Sequence, residues 1–371
     1  MDNLKRFSIA VMPGDGIGPE VTTPCLDLLR QVCEGASGFA LDFETLEAGA
    51  ELYARSGEAF PREALEAARK ADAILLGAMG LPSVRYPDGR EIAPQLEMRE
   101  TFELFAGVRP IKSWPGLPVP LKDKRAEMLD VVLIRESTEG MFAGRLTGRV
   151  EDDKVAYDTM TISREASERL FEFAFALARQ RKADGAPGIV TCVDKSNVFR
   201  SFGFFRQIFD EVAERNGDID ARHCYVDAAA LNLVRQPWAF DVMVTENLFG
   251  DILSDLGAGL MGGMGMAPSA DIGLEHAVFQ PCHGTAPDIA GQGKANPTAM
   301  FLSAAMMLDW LGRQHDVVAC SEAGRRLAQA VESAFAEGTL RPVELGGDDG
   351  TAEITARVTR ALEALPAEAG V

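Results

Sequence analysis

Two carboxylates stand side by side in "NLFGDILSDLGAGLMGGMG", residues 247–265. Asp251 and Asp255 are its only charged residues. On a helix, positions four apart share a face about 6 Å from each other, where like charges repel. Their neighbours are mostly Leu, Ile, Phe, Gly and Met, whereas a solvated face would carry Lys or Gln as well. A bound divalent cation would remove the repulsion, and oxygen-only ligation suits Mg²⁺ or Mn²⁺. A third carboxylate, Asp227, opens a helical run in "HCYVDAAALNLV". Clustered like charges mark functional sites. The competing reading is a helix face turned to solvent.

Three arginines offer the complementary chemistry. Arg99 and Arg109 flank "ETFELFAGV", and Arg135 follows the apolar run 131–134. That run reads as a strand, and α/β proteins place ligands at strand carboxyl ends. Guanidinium groups bind carboxylates through paired hydrogen bonds in a fixed fork. Together the three could hold a di- or tricarboxylic acid, though each one singly reads as a surface arginine. Lys195, in "TCVDKSNVF", lies just past another strand-like run, 189–193. A lysine near cations or an apolar wall can serve as a base; otherwise it is a surface lysine.

Two glycine-rich loops follow strand-like runs. "PGDGIGPE" (13–20) tempts a dinucleotide fingerprint, but Pro19 occupies the place of the third glycine. A tight strand-to-helix turn is the better reading; the other is a loop whose backbone approaches a ligand. "CHGTAPDIAGQGKANP" (282–297) is long, and has His283, Asp288 and Asn296 as polar anchors. Opening onto a capped helix, it could wrap a nucleotide. Asp288 would accept from a ribose with free hydroxyls and repel a 2′-phosphate.

The elements that must position these groups alternate. Apolar runs at 7–12, 73–76, 131–134, 189–193 and 241–244 read as buried strands. Helical spacing spans 21–32, 61–71, 165–181, 299–311, 321–336 and 351–365. Pro24 is placed in the first turn of its helix, capped by Thr22 or Thr23. Asn296 and Pro297 start another helix, and Pro366 ends the last. Met300, Met306, Met307 and Trp310 read as core. Strand–helix–strand order implies a parallel sheet with helices on its faces. Three prolines in "IKSWPGLPVPLKDK" (111–124) mark a crossing between lobes.

A chain of 371 residues is long for one core, so two lobes are expected. The apolar and charged fractions, 47% and 25%, are those of an ordinary globular protein. A net charge of −19 argues against nucleic acid as a partner. No uncharged apolar stretch is long enough for a bilayer, and no secretory signal is read at the start. Six cysteines without CxxC spacing read as reduced thiols in a cytoplasmic protein.

In this order the motifs resemble the β-decarboxylating dehydrogenases, the family of isocitrate, 3-isopropylmalate, homoisocitrate and tartrate/D-malate dehydrogenases. The resemblance runs from "MPGDGIGPEV" to "GGDDGTAEITARV". It is most specific in "NLFGDILSDL", "HGTAPDIAG" and "ANP". It implies an α/β isopropylmalate-dehydrogenase-like fold of two lobes, not the classical Rossmann fold. Residues 1–109 and 266–371 would form the large cofactor lobe, and 110–265 a small lobe carrying the interface of a homodimer with shared active sites. Arg99, Arg109 and Arg135 would bind the carboxylates of a small 2-hydroxy dicarboxylic acid. Asp251 and Asp255 would hold Mg²⁺ or Mn²⁺, joined by Asp227 of a partner subunit. Lys195, also from the partner, would be the base. His283, Gly284, Ala286, Asp288, Ile289 and Asn296 would cradle the adenosine of NAD, with Ile17 and Asn197 in the same cofactor set. Asp288 and Ile289 match NAD users, whereas NADP users carry Lys–Tyr there. K⁺ is a further candidate cation.

The implied activity is NAD- and metal-dependent oxidative decarboxylation of a 3-substituted malate, of the 3-isopropylmalate or tartrate/D-malate class. One catalytic position departs from the pattern. In "RESTEGMFAG", Phe142 stands where the family has the tyrosine that gives the last proton. Lys195 or a water would stand in, or turnover of the enolate would be poor, or the chain would be a weakened or regulatory subunit. The retained lysine and aspartates argue against the last. Substrate choice would rest on Ile92, Ala93, Gln95 and Leu96, with Val198 nearby. The isocitrate pattern (Ser and Asn at positions 93 and 95) and the 3-isopropylmalate pattern (Glu, Leu, Leu at 92, 95 and 96) are both absent. The stretch "RPIKSWPGLPVPL" is more like the tartrate/D-malate branch. A substituent that is apolar or hydroxylated is expected, not a third carboxylate.

Overall fold

The apolar runs pair into one ten-stranded sheet, and the amphipathic segments pack on its faces. The structure is a computed structural model that describes residues 4–34 and 38–365. Its strands are β1 (Lys5–Gly14), β2 (Phe39–Thr45), β3 (Ala73–Ala78), β4 (Ala106–Lys112), β5 (Asp130–Glu136), β6 (Arg149–Glu151), β7 (Val155–Tyr157), β8 (Ile189–Asp194), β9 (Asp220–Tyr225), β10 (Val242–Thr245), β11 (Pro268–Ile272) and β12 (Ala277–Pro281). The helices are α1 (Gly18–Glu34), α2 (Ala50–Ser56), α3 (Arg62–Lys70), α4 (Pro94–Thr101), α5 (Arg164–Ala183), α6 (Arg200–Arg215), α7 (Val226–Arg235), α8 (Asn247–Met261), α9 (Thr298–Gln314), α10 (Val318–Ala336) and α11 (Thr351–Ala364).

The sheet runs β2-β1-β3-β12-β11-β4-β5-β10-β8-β9. It is parallel at both ends, as the strand–helix alternation requires. Its middle is not: β12, β11, β4 and β5 pair antiparallel to one another in turn. This corrects the all-parallel expectation. β11 and β12 are joined by only four residues, and the link from β4 to β5 holds a single short 3-10 turn, Lys124–Met128, in place of a crossover α-helix. The pair β6–β7 forms a separate exposed hairpin.

Strands β3, β10, β11 and β12 are buried along their whole length, consistent with cover on both faces. Phe209 of α6 meets Phe171 of α5 edge-on and stacks with Phe175, with ring centroids 5.2 and 5.6 Å apart. Met300 and Met307 are fully buried in the main core, and Met306 and Trp310 pack against it. Pro24 departs from expectation. It lies well inside α1, which starts earlier, at Gly18. The reading shifts by one residue at α9: Pro297 is the N-cap, and Asn296 just before it accepts from Thr298 N through Oδ1 at 3.1 Å. Pro366 lies outside the described residues. Among those described, no helix is long and apolar enough to cross a membrane. All six cysteines are unpaired; Cys25, Cys192 and Cys320 are buried and the others partly so.

Candidate active site

Helix α8 starts where β10 ends, and its cap is built in. The Glu246 carboxylate accepts from the backbone N–H of Leu248 and Phe249 at 3.1 and 3.3 Å. Two of its glycines face neighbours too close for a side chain. A Cβ at Gly250 would lie 2.6 Å from Arg135 Cβ, and one at Gly257 would lie 2.4 Å from Ile111 Cδ1. The glycines therefore let β4 and β5 press against α8, which brings Arg135 beside Asp251. Gly250→Ala is expected to cost about 1–3 kcal/mol through overpacking and to weaken carboxylate binding by moving Arg135. Thermal melting and KM check the two parts, and unchanged values in both would refute it.

These elements enclose a cleft of about 320 Å³. Arg99, Arg109, Arg135, Asp251 and Asp255 all border it, with Gln95, Leu96 and Phe142 on its walls and His283 and Gly284 toward the long loop. The three arginines are nearly buried, at 8%, 5% and 4% exposed. Burial of guanidinium charges is costly unless each is paired, and each is. Arg135 donates from Nε and Nη2 to Asn247 Oδ1 at 2.9 and 2.7 Å, and pairs with Asp251 through Nη1. Asn247 is held in turn by Glu139 O at 3.0 Å. The Arg135 guanidinium also lies 4.9 Å from the centre of the Phe142 ring. Burial, with Arg99 and Arg109 nearby, lowers its pKa to about 10.

Arg99 and Arg109 share a counter-ion that the sequence reading did not identify. Asp271, 1% exposed on β11, accepts from Arg99 Nε and Nη2 at 3.2 and 3.1 Å. Its other oxygen accepts from Arg109 Nη2 at 3.1 Å, and Gln280 Nε2 donates at 2.8 Å to the oxygen that Arg99 holds. Burial opposes the Asp271 charge, but the arginines overcome it and hold its pKa at about 2. Burial likewise opposes the Arg109 charge, which Asp271 more than restores. The Asp271 carboxyl titrates well below its ordinary value of 3.8, so its stabilising effect is complete above about pH 4. It is lost as pH falls through 2. Replacing it with asparagine should remove about 2 kcal/mol of pH-dependent stability. Acid unfolding curves that differ in that window check this, and parallel curves would refute it.

Asp251 and Asp255 lie together on the cleft side of α8, with Asp251 paired to Arg135. Burial and the Asp251 charge both push the Asp255 carboxyl up. An all-oxygen pair in this state fits a hard dication. One chain supplies these two carboxylates from α8, with Glu91 a third at the rim of the cleft. Asp227 instead starts α7, is exposed and pairs with Lys195, and neither residue borders the cleft. Another cluster, Cys192, Asp194 and His223, lies elsewhere, with Asp194 already bound by Arg206 at 2.7 and 3.0 Å.

The loop 282–297 is pinned from the far end of the chain. Glu20 accepts from Gly291 N and Ala295 N at 3.0 and 3.1 Å, and from Thr351 Oγ1 at 2.7 Å. The "PGDGIG" loop packs against other backbone. A Cβ at Gly14 would lie 1.9 Å from Ala78 O, and at Gly16, 2.2 Å from Thr285 O. These two glycines thus serve a tight turn and not a ligand. Ile17 is buried, its N–H donating to Thr285 O at 2.9 Å. In the long loop, Gly284 has open space, Asp288 is exposed, and Ala286 and Ile289 are half-buried. His283 is neutral because burial lowers its pKa; Nδ1 faces Gly284 O at 2.9 Å and Nε2 has no partner. Asn296 is committed within the chain, donating to Glu344 Oε1 at 2.7 Å.

Two pocket assignments change. Ile92 is fully buried in a small cluster with Ala50 and Ala59, away from the cleft. It precedes α4, so the helical register that aims Gln95 and Leu96 does not extend to it. Val198 is 60% exposed and does not border the cleft of its own chain, and Asn197 is also exposed.

The sequence profile of the isocitrate/isopropylmalate dehydrogenase family matches residues 8–359. A 3-isopropylmalate/3-methylmalate dehydrogenase of Methanocaldococcus jannaschii is 41% identical over 355 residues, covering 95% of this chain and 98% of its own. A 3-isopropylmalate dehydrogenase of Aquifex aeolicus is 37% identical, covering 98% and 99%. Among solved structures, an isocitrate dehydrogenase of Methylococcus capsulatus superposes with a TM-score of 0.83 at 32% identity, over 96% of this chain and 99% of that one.

Proposed function

Because the chain belongs to the isocitrate/isopropylmalate dehydrogenase family, we propose that it oxidatively decarboxylates a 3-substituted malate with NAD⁺ and Mg²⁺ or Mn²⁺. One observation carries the reading: three buried, preorganised arginines and a carboxylate pair line a single cleft. The arginines take the substrate carboxylates and fix which face of the hydroxyl-bearing carbon meets the long loop. Asp251 and Asp255 would hold the dication, which when bound acts as a Lewis acid on the hydroxyl and its neighbouring carboxylate. Gly284, Ala286, Asp288 and Ile289 would hold the adenosine of NAD⁺, which when bound would supply the hydride acceptor, and the Asp288 carboxylate would be available to ribose hydroxyls.

Lys195 removes the hydroxyl proton, and Asp227 completes the cation's ligands, both entering from a second copy of the chain. The support is the pair's position outside its own cleft and the apolar exposure around it: Leu231 and Val234 on α7, Ile252 on α8, Val198 and Phe199 beside Lys195. In this reading residues 110–265 form the lobe that carries the interface. Unpaired cysteines agree with a cytoplasmic location. Leu96 and Gln95 on the cleft wall favour a substituent that is apolar or hydroxylated, as in 3-isopropylmalate or tartrate.

Phe142 supports a second reading, a weakened or regulatory subunit. Its ring lies on the wall where an acid is needed, over Arg135, and no tyrosine borders the cleft. The test is an assay of the purified protein with NAD⁺, Mn²⁺ and K⁺ against 3-isopropylmalate, D-malate, tartrate, isocitrate and homoisocitrate, counting NADH and CO₂ together. Equal yields on a malate derivative support the enzyme. Silence throughout, with NAD⁺ and Mn²⁺ still bound, favours the regulatory subunit, and strong activity on isocitrate alone refutes the substrate class.

A further inference from the structure

We propose that Asp271 sets the charge the cleft accepts and so restricts its substrate to a dianion. The inference rests on the malate reading above and narrows it. Arg99, Arg109 and Arg135 bring three positive charges to the cleft, and Asp251, Asp255 and Asp271 bring three negative ones. Glu91 at the rim is offset by Arg85 at 3.6 Å, and His283 is neutral. The protein therefore supplies a net charge of zero. In the nucleotide-free site, where Lys195 and Asp227 of a second copy would cancel each other, a bound dication would raise it to +2, which a dicarboxylate cancels. A tricarboxylate would leave one negative charge in a partly dry site, where unpaired charge is costly.

Asp271 does this without touching the substrate. It does not border the cleft and grips both arginines within the protein, using Nε and Nη2 of Arg99 and Nη2 of Arg109. Nη1 of Arg99 has no partner among the described residues and remains to bind a carboxylate. Asp271 is thus a positioning residue whose charge is felt through the guanidiniums it holds.

The experiment compares wild type with Asp271→Asn, which keeps the side-chain shape and removes the charge. Calorimetric binding of succinate and tricarballylate, unreactive di- and tricarboxylates, is measured with Mn²⁺ present, alongside kcat/KM on the hydroxy-acid panel. In the variant the preference for three carboxylates over two is expected to rise at least tenfold. The double variant Asp271→Asn/Gln280→Glu moves one carboxylate to the neighbour that already bonds Asp271; it should return the ratio toward wild type. It also carries the test if the single variant does not fold. An unchanged ratio, or equal weakening toward both acids, overturns the proposal. If no hydroxy acid turns over but the binding ratio shifts, the malate reading fails and the role of Asp271 stands.

Discussion

Asp251→Ala is expected to lower NADH formation by at least about 10³-fold, equivalent to about 4 kcal/mol of transition-state stabilisation, while NAD⁺ still binds. Two effects converge on this side chain. It pairs with buried Arg135, and with Asp255 it forms the oxygen pair proposed for the dication. Its removal leaves a guanidinium that is 4% exposed with only the Asn247 carbonyl to answer it. It also takes away half of the carboxylates one chain offers the metal. Mn²⁺ titration followed by electron paramagnetic resonance should show weakened binding, and NAD⁺ titration by fluorescence should not. Activity within tenfold of wild type would sink the assignment of the cleft. Loss of NAD⁺ binding as well would mean that the substitution disturbs the fold and not the chemistry.

Phe142→Tyr is the second large effect, and it is a gain. A phenol at this position would enter the cleft wall beside the Arg135 guanidinium, which favours the phenolate and so eases proton release. General acid catalysis contributes typically about 10²–10⁴-fold, so turnover is expected to rise about a hundredfold, with KM for the hydroxy acid little changed. The yield of CO₂ per NADH should approach one if it falls short in the wild type. Two other proton-bearing groups on the wall are poorly placed to substitute. Burial pushes the Cys282 thiol up, and Nδ1 of His283 faces a backbone carbonyl. No change in turnover would show that the proton already arrives from Lys195 of a second subunit or from water.

Much of this site was legible because its chemistry is local in sequence. The spacing of Asp251 and Asp255 placed them on one helix face, and an apolar run ending in arginine announced β5 with Arg135 at its end. Asp271 was invisible for the opposite reason. A single aspartate in "PSADIG" shows no periodicity, and its arginine partners lie more than 160 residues away. Only the antiparallel register of β11 on β4, which sets Asp271 opposite Gly107, brings it to the arginines. Gly107 helps, since a Cβ there would come within 3.1 Å of the Asp271 carboxylate. Ile92 was assigned to the pocket with Gln95 and Leu96, but two residues upstream of α4 the chain turns inward. The short hairpin β11–β12 also escaped notice. Five-residue strands joined by four residues give too little pattern to separate strand from loop.

The order of strands bears on how the chain is made. β12 lies between β3 and β11, yet it is about 200 residues later in the chain than β3. During synthesis β1, β2 and β3 emerge early, and β3 must wait for most of the remaining polypeptide with one long, apolar edge unpaired. Such an edge is a template for pairing with another nascent chain. The central strands close last and across large sequence separations, which makes folding slow. Production of this protein should therefore be limited by aggregation of incomplete chains. Slower translation at lower temperature, or a holding chaperone that covers the β3 edge, should raise the soluble yield more than any change at the active site.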